Sequence, residues 1–268
     1  MNKQFDILVV DDESVIINAV QKICSAEGLK VDTSGDAGDA LSKIEKNSYR
    51  LIISDIMMPD IDGFQFLAAL SKMKIKTPVI ITTGFSTVEN AVKSLYNGAI
   101  DFIPKPFTAD ELISSVTRGL NYLDIQNKIN ESKNKVNDAS IIYVPCPAKY
   151  FRLGYASWVV EESTGSVLVG VTDQFLRTID SISQIDLLNI DNEIVQGNTC
   201  AQITSRNDLV HSVLSPISGR VLEKNVQLLS DTSIVEKDPY FNGWFYRIIP
   251  SDSEFELKQL IPCSSDRL

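Results

Sequence analysis

The sequence predicts two domains of different fold class, an α/β domain built on a five-stranded parallel sheet and then a mostly β domain. In residues 1–122, short apolar runs alternate with segments of helical periodicity, which is typical of a doubly wound parallel sheet. In residues 140–268, short β-prone runs are separated by Gly, Pro, Asn and Asp, as in an all-β domain. A chain of 268 residues is long enough to bury two hydrophobic cores of ordinary size.

The apolar runs of the first half are its predicted strands, and the segments between them are its predicted helices. FDILVV is a buried strand, and YRLIISD, PVIITT and DFIPK are further strands of the same sheet. SVIINAVQKICSAEG carries an apolar stripe at helical spacing that ends at Gly28, and GDALSKIEKN, GFQFLAALSKM and TVENAVKSLYNG lie between the later strands. The last helix opens at Thr108, and Glu111 follows three residues later, which is the pattern of a capping box.

Residues 123–139 separate the two halves. This segment is polar and lysine-rich with sparse apolar spacing, and the sequence leaves open whether it is a helical extension or a linker. From residue 140, the runs SVLVGV, HSVL, GRVLEKN and WFYRII predict strands, and only TDQFLRTIDSI suggests a helix. The predicted organisation is therefore a domain over residues 1–122, a connecting segment over residues 123–139 and a β domain over residues 140–268.

Charge and composition exclude several classes of function. The net charge is −10, and neither half has the basic excess that nucleic-acid binding requires. No apolar run is long enough to span a membrane, and the opening MNKQFDILVVDDE is too short and too acidic for a signal peptide. We therefore expect a cytoplasmic protein that binds neither nucleic acid nor membrane. Because His211 is the only histidine, we expect it to be structural and we expect no Cys/His metal site.

Acidic residues follow two of the predicted strands. Asp11 and Asp12 come directly after the first strand, and Asp55 follows the third. The carboxyl ends of parallel strands lie at one edge of a sheet, so these three carboxylates are expected to lie together. Clustered anions repel each other unless a cation compensates them, and Mg²⁺ suits a site with few carboxylates. The sequence therefore predicts a magnesium site at this edge.

Two other polar residues end strands at the same edge. Thr83 ends the fourth strand and Lys105 ends the fifth, which adds a hydroxyl and a fixed positive charge. Such a set fits a carboxylate nucleophile that accepts a phosphoryl group while a metal ion and a lysine neutralise the oxygens. Each residue alone has a structural explanation, such as a helix cap or a solvated lysine. Five chemically suitable residues at strand ends favour the functional interpretation.

Four motifs in the first half resemble the receiver domain of two-component response regulators. They are VVDDE, SDIMMPDIDGF, PVIITTGFS and GAIDFIPKPF, and the resemblance covers residues 4–122. It implies a flavodoxin-like fold, Asp55 as the phosphoacceptor and a sensor histidine kinase as the partner. It also implies an acidic pair, Asp11 and Asp12, and Mg²⁺ held by Asp12, Asp55 and the backbone carbonyl of Met57.

The same resemblance assigns three roles outside the acidic pocket. Thr83 would contact the phosphoryl group and move on activation, and Lys105 would pair with that group. Phe85 occupies the position of the aromatic switch residue. Gly84 stands where the family often has alanine, which is a small departure.

The second half resembles the H protein of the glycine cleavage system, a relative of lipoyl domains. The motifs are YASWVV, GSVLVGVTDQF, SPISGRVLEKN and DPYFNGWFYRIIPSD, over residues 150–261. The resemblance implies a flattened β barrel or sandwich, with a hairpin before the SPISG segment that carries a lipoyl lysine. Here that position falls on Asp208, and the nearest cation, Arg206, cannot form the lipoyl amide. We therefore expect no lipoate.

These observations together favour a response regulator that is not an enzyme. Phosphorylation of Asp55 would switch the protein–protein contacts of the β module with a downstream partner that the sequence does not identify. A homodimer that depends on phosphorylation, or a β module that serves only as a scaffold, remains open. The main alternative is a phosphorylation-regulated lipoyl-type carrier or accessory protein of glycine and one-carbon metabolism, lipoylated at another lysine. A DNA-binding regulator is disfavoured by the acidic charge.

Overall fold

The first half of the chain forms a five-stranded parallel sheet in the computed structural model, which describes residues 3–85, 87–133 and 142–267. Its strands are β1 (Gln4–Val10), β2 (Val31–Ser34), β3 (Ser48–Asp55), β4 (Val79–Thr83) and β5 (Asp101–Pro104). Its helices are α1 (Ser14–Ala26), α2 (Ala37–Lys46), α3 (Gly63–Lys72), α4 (Val88–Tyr96) and α5 (Ala109–Lys133). The strand order is β2-β1-β3-β4-β5, with parallel pairs throughout. The predicted α/β fold class is confirmed.

Both faces of this sheet are buried. In β1, Ile7 and Val9 join a cluster that includes residues of α1 and α5. Leu8 and Val10 point the other way and join a second cluster with residues of α2 and α3. Because successive side chains of a strand face opposite sides, a sheet covered on both faces needs continuous apolar strands. This is why FDILVV and YRLIISD lack the alternation of a half-exposed strand.

Helix α5 begins with the capping box that the sequence indicated. The Glu111 amide donates to Thr108 Oγ1 at 3.2 Å, and the Thr108 amide donates to Glu111 Oε2 at 2.7 Å. The helix continues to Lys133, so the first part of the segment 123–139 is helical. The rest of that segment, residues 134–139, lies outside the described residues.

The second half is built from short strands. They are β6 (Phe151–Leu153), β7 (Ser157–Glu161), β8 (Val167–Val171), β9 (Ile182–Leu187), β10 (Glu193–Ile194), β11 (Thr199–Ser205), β12 (Val210–Leu214), β13 (Gly219–Lys224), β14 (Tyr246–Pro250) and β15 (Ile261–Pro262). The helices are α6 (Asp173–Leu176), α7 (Ser233–Lys237) and α8 (Ser253–Leu257), with 3₁₀ turns at Val226–Leu229 and Cys263–Arg267.

These strands form two antiparallel sheets. A seven-stranded sheet has the order β10-β13-β14-β8-β7-β6-β15, and a three-stranded sheet has the order β12-β11-β9. The mostly β fold class is confirmed. The stretch TDQFLRTIDSI contains only the single turn of α6, and α7 and α8 had no signal in the sequence. Helices of one turn are too short to show a helical period.

Aromatic side chains fill much of this β domain. Trp158 is fully buried and its indole Nε1 donates to the Val171 carbonyl at 2.8 Å. Tyr246 is also fully buried, and its hydroxyl donates to the Cys200 carbonyl at 2.7 Å. Phe241, by contrast, is exposed. Buried aromatic rings whose polar atoms find backbone partners therefore form part of the core of this domain.

The two halves pack against each other. One hydrophobic cluster contains Leu95 and Ile103 of the first half together with Leu153 and Tyr155 of the second. The rings of Tyr122, on α5, and Tyr155 lie 4.9 Å apart between centroids. In the described part of the chain, no helix is both long enough and apolar enough to cross a membrane.

Candidate functional site

The carboxyl edge of the parallel sheet gathers the acidic residues and the lysine that the sequence singled out. Asp11 follows β1, Asp55 ends β3 and Lys105 follows β5. Lys105 Nζ donates to Asp11 Oδ2 at 2.7 Å and lies 3.2 Å from Asp55 Oδ1. One carboxylate oxygen from each of Asp11, Asp12 and Asp55 lies within 4.8 Å of the other two. The three oxygens are therefore close enough to bind one metal ion. The strand ends therefore bring together residues distant in sequence.

Backbone groups fix the two buried carboxylates. Asp11 and Asp55 are buried, whereas Asp12 is exposed at the rim. The Met57 amide donates to Asp55 Oδ2 at 3.0 Å, and the Glu13 amide donates to Asp11 Oδ1 at 2.9 Å. Each carboxylate is therefore held by the chain that directly follows its strand.

Gly63 packs directly against the backbone of Asp55, and the sequence analysis did not identify this residue as part of the site. A Cβ at Gly63 would lie 2.4 Å from the Asp55 carbonyl oxygen and 2.8 Å from Ile56 Cα. Glycine allows α3 to begin against this backbone because it carries no side chain. Asp62 and Gln65 form a capping box around the same helix start. A glycine at the start of a predicted helix, just after an acidic loop, was the available signal.

The charges of the site compensate one another only in part. Burial raises the pKa of the Asp11 carboxyl, although the hydrogen bond from Lys105 acts in the opposite direction. Burial alone would lower the pKa of Lys105, but its hydrogen bond to Asp11 and the charges of Asp11 and Asp55 outweigh burial and raise that pKa. Lys105 is therefore a cation at neutral pH, and it faces the carboxylates of Asp11, Glu13 and Asp55.

One oxygen of Asp55 is buried without a hydrogen bond from the described residues. Asp55 Oδ1 is buried and accepts no hydrogen bond of normal geometry from the described residues, although Lys105 Nζ is within ion-pair distance. A buried carboxylate oxygen without a hydrogen bond is costly unless a ligand or an ion completes it. An all-oxygen set with an excess of negative charge fits a hard divalent cation such as Mg²⁺.

Thr83 and Phe85 lie in the connection from β4 to α4. The Thr83 side chain is buried, and its Oγ1 accepts from the Phe85 amide at 3.1 Å. The Lys105 amide donates to the Thr83 carbonyl at 2.8 Å, which joins this connection to the end of β5. The Phe85 side chain is 61% exposed, and Asn90 of α4 donates to its carbonyl at 2.9 Å. The hydroxyl of Thr83 thus holds the backbone that leads into α4.

The hairpin of the second half presents no lysine at its corner. Strands β11 and β12 are joined by residues 206–209, and Asp208 is exposed there with a φ of 63°. Lys224 lies at the end of β13, where its Nζ donates to Asn189 Oδ1 at 3.0 Å. The corner is directed toward the first half, because Asn207 and Leu209 line a groove with residues of α1 and α5.

A buried polar network joins the two halves, and the sequence reading missed most of it. Arg118 of α5 is buried and pairs with Asp101 of β5. Arg118 Nη1 also donates to Ser114 Oγ at 2.7 Å and to His211 Nδ1 of β12 at 2.9 Å. On its other side, His211 Nε2 lies 3.0 Å from Ser205 Oγ. An arginine on a helix face next to small polar residues was a weak signal for this contact.

The network determines the protonation state of His211. Arginine can only donate, so the facing Nδ1 must accept, and the ring proton is inferred to lie on Nε2, toward Ser205. Burial first, and then the charge of Arg118, lower the pKa of His211 to about 3. His211 is therefore buried and hydrogen-bonded, as a structural histidine would be, and its partners on α5 belong to the first half.

Two family models match this chain, one in each half. Residues 7–117 match the response regulator receiver domain, and residues 149–265 match the glycine cleavage H-protein. The first half of the chain is therefore a receiver domain of the response regulator type. Its second half is an H-protein-like domain.

The chain is similar to individual known proteins over part of its length. The nitrogen assimilation regulatory protein NtrX of Azorhizobium caulinodans is 36% identical over 130 residues, which is 48% of this chain and 29% of that protein. The solved receiver domain of NtrX from Brucella abortus is 41% identical over 43% of this chain and 98% of its own, with a TM-score of 0.42. A glycine cleavage system H protein from Mycobacterium marinum is 22% identical over 44% of this chain and 94% of its own, with a TM-score of 0.40. The chain spans less than half the length of the curated relatives that it matches.

Proposed function

We propose that this chain is a phosphorylation-controlled regulator whose receiver domain accepts a phosphoryl group on Asp55 from a sensor histidine kinase. The observation that carries the proposal is the environment of Asp55 Oδ1, which lies 3.2 Å from Lys105 Nζ and accepts no hydrogen bond of normal geometry from the described residues. A nucleophilic oxygen needs a lone pair that no hydrogen bond occupies and a nearby cation that neutralises the transferring oxygens. Asp55 Oδ1 meets both conditions among the described residues.

Each residue at the carboxyl edge of the parallel sheet has its own role in phosphoryl transfer. Asp55 Oδ1 forms the new bond to phosphorus while the bond from phosphorus to the donor nitrogen breaks, and the donor imidazole leaves. Lys105 neutralises an oxygen of the transferred group and keeps Asp11 in position through its hydrogen bond. Asp11, Asp12, Asp55 and the Met57 carbonyl are the residues that would hold Mg²⁺, which would supply charge neutralisation at the phosphoryl oxygens.

Thr83 provides the route from the site to the rest of the chain. Its hydroxyl accepts from the Phe85 amide, so a new bond from that hydroxyl to a phosphoryl oxygen would change how the start of α4 is held. A ligand shifts such an equilibrium only through a difference in its contacts with the two states. Thr83 supplies that difference, and Phe85, exposed beside it, would respond.

The output that we propose is protein–protein contact by the H-protein-like domain, without lipoate and without catalysis. The absence of a lysine from the turn at residues 206–209 supports this output, because a lipoyl amide needs a nucleophilic amine. The downstream partner is a protein, and a phosphorylation-dependent homodimer is one form the contact can take. The alternative is a regulated carrier that is lipoylated elsewhere. Intact mass after co-expression with a lipoate ligase distinguishes them, since a lipoyl adduct in residues 140–268 would establish the carrier.

Phosphorylation is tested directly with acetyl phosphate and Mg²⁺, with intact mass as the readout. Wild-type protein should gain one phosphoryl group, and Asp55→Asn should not. Asp60→Asn is the matched control, because Asp60 is an exposed aspartate in the same loop, with a φ of 64° that asparagine also tolerates. Equal phosphorylation of Asp55→Asn and wild type would refute the assignment.

A further inference from the structure

A cavity of about 210 Å³ lies between the two halves of the chain, beside the buried network of Arg118. Residues of α4, β5 and α5 line one side of it, and residues of β11, β12 and the loop before β11 line the other. Asp11, Asp55 and Lys105 are not among its lining residues, so the cavity is separate from the acidic site. Sites for small molecules occur preferentially at domain interfaces, where two folded surfaces enclose a space together.

Apolar side chains form one wall of the cavity. Ala91 of α4 and Phe102 and Ile103 of β5 line it and are buried, and Leu214 of β12 contributes from the other domain. Because an apolar cavity of roughly 150 Å³ is enough for benzene, a cavity of about 210 Å³ has room for a ring with a substituent of about two atoms. The cavity therefore fits a small organic molecule with an apolar body.

The buried arginine of the cavity does not favour an anion. Arg118 Nη1 donates to Ser114 Oγ at 2.7 Å and to His211 Nδ1 at 2.9 Å. Arg118 Nη2 donates to Asp101 and to Ser115 Oγ. The positive charge is balanced by the Asp101 carboxylate, and both terminal nitrogens already have two partners. An anionic ligand would therefore find neither an unpaired charge nor a vacant donor on these nitrogens.

The exposed part of the lining carries a carboxylate without a cation. Glu111, at the start of α5, lines the cavity and accepts hydrogen bonds through Oε2 from the Thr108 amide and hydroxyl. In the part of the chain that the structure describes, no cationic side chain pairs with Glu111. Asn198 and Thr199 are exposed lining residues of the other domain, and Ser212 is a half-buried one. Among the described residues these three side chains have no hydrogen-bond partner, so a ligand can use them.

We propose that this cavity binds a small organic cation, in which an ammonium group is attached to an apolar body about the size of a benzene ring. The apolar wall holds the body, and Glu111 pairs with the ammonium group. A ligand that contacts both domains binds only while they are packed together, so binding stabilises that arrangement. This inference goes beyond the phosphorylation of Asp55 and does not depend on it.

Three probes of similar shape and different charge test the site in the full chain. They are benzylamine, benzyl alcohol and benzoate, each titrated at neutral pH, with the NMR signals of the Gly197 and Ser212 amides as the readout. Benzylamine should bind about fivefold more tightly than benzyl alcohol, which corresponds to one ion pair at a partly exposed position. Benzoate should bind most weakly, because the Glu111 carboxylate repels it.

Glu111→Gln tests the charge that selects the ligand. Glutamine can still complete the capping box with Thr108, so the start of α5 is kept. The affinity for benzylamine should fall about fivefold, and the affinity for benzyl alcohol should stay unchanged. Glu89→Gln is the matched control, because Glu89 is an exposed acid of α4 outside the lining. An equal loss of benzylamine affinity in both variants would reduce the effect to the general charge of the surface and overturn the role of Glu111.

Ser212→Leu tests the position of the ligand. A larger side chain at Ser212 fills part of the cavity, so all three probes should lose affinity for this variant. Gln184→Leu, at an exposed position of β9 outside the lining, is the control and should bind as wild type does. If thermal unfolding shows that Ser212→Leu does not fold, Glu111→Gln decides the test.

Four results would overturn the proposal. Equal affinities for benzylamine and benzyl alcohol, or tightest binding of benzoate, would show that the cavity does not select a cation. Unchanged binding of benzylamine to folded Ser212→Leu would place the probe outside the cavity. Absence of binding by all three probes to wild-type protein would show that the cavity is not a ligand site.

Discussion

Arg118 Nη1 lies 2.9 Å from His211 Nδ1, so the last helix of the receiver domain and the hairpin of the H-protein-like domain share a buried hydrogen bond. His211 is the only histidine of the chain and the side chain whose ordinary pKa lies closest to neutrality. The contact between the domains therefore contains a group whose protonation reports on that contact.

The pKa of His211 is expected to depend on the contact between the two domains. Burial, and then the charge of Arg118, lower that pKa to about 3 from an ordinary 6.5, so the buried imidazole stays neutral at pH 5. Because the buried imidazole resists a second proton, the folded protein loses up to about 1.4 kcal/mol of stability for each pH unit below 6.5. NMR titration of the single imidazole checks this. A pKa near 6.5 would contradict the buried contact with Arg118.

Replacing Arg118 with methionine should destabilise the protein strongly. The variant removes a buried guanidinium and leaves the Asp101 carboxylate and His211 Nδ1 without their main partner, at a cost of about 3–5 kcal/mol. Arg220→Met is the control, because Arg220 forms an ion pair with Asp191 in which both side chains are exposed, and such pairs contribute under about 1 kcal/mol. Urea unfolding measures both, and equal losses would mean that the buried network is not stabilising.

Lys105→Ala should slow phosphorylation of Asp55. A fixed cation beside the transferring oxygens typically contributes a few kcal/mol to the transition state, so the rate should fall by a factor of about 10²–10³. The rate of phosphoryl incorporation from acetyl phosphate measures this. Lys72→Ala, at an exposed position on α3, should leave the rate unchanged. A rate for Lys105→Ala equal to that of wild type would remove the lysine from the mechanism.

Thr83→Ala should separate phosphorylation from its consequence. The variant keeps Asp55 and Lys105, so it should still accept a phosphoryl group, but it lacks the hydroxyl that holds the Phe85 amide and would contact the phosphoryl oxygen. The NMR signal of the Phe85 amide should therefore shift on activation in wild type and stay in place in the variant. Thr77→Ala, which loses a bond to the Tyr49 carbonyl at 3.2 Å, is the control and should respond as wild type.

Gly63→Ala should impair the site by displacing the backbone of Asp55. The new Cβ would lie 2.4 Å from the Asp55 carbonyl oxygen, so the backbone at the end of β3 must move. Overpacking of this kind costs about 1–3 kcal/mol of stability and should also lower the phosphorylation rate, because it displaces the nucleophile. Gly35→Ala meets nothing within 4 Å and serves as the control. Normal stability and rate in Gly63→Ala would show that the backbone has room to adjust.

The sequence by itself determined the fold class of both halves and indicated the residues of the acidic site. Parallel strands buried on both faces need continuous apolar runs, so FDILVV and PVIITT reveal their sheet without any tertiary information. The position of a residue at a strand end is equally local, and the common direction of parallel strands then brings Asp11, Asp55 and Lys105 to one edge. The capping box at Thr108 is likewise determined within one turn of helix.

Only the tertiary structure decided what the hairpin contacts and which groups the interface buries. The contact of Arg118 with His211 joins residues 93 positions apart in two domains, and no period or motif encodes such a pairing. The missing hydrogen bond at Asp55 Oδ1 and the close approach of Gly63 to the Asp55 backbone also depend on how loops and helices pack in three dimensions. Packing across domains depends on shape and on the pairing of buried polar groups, and these appear only once both folds are complete.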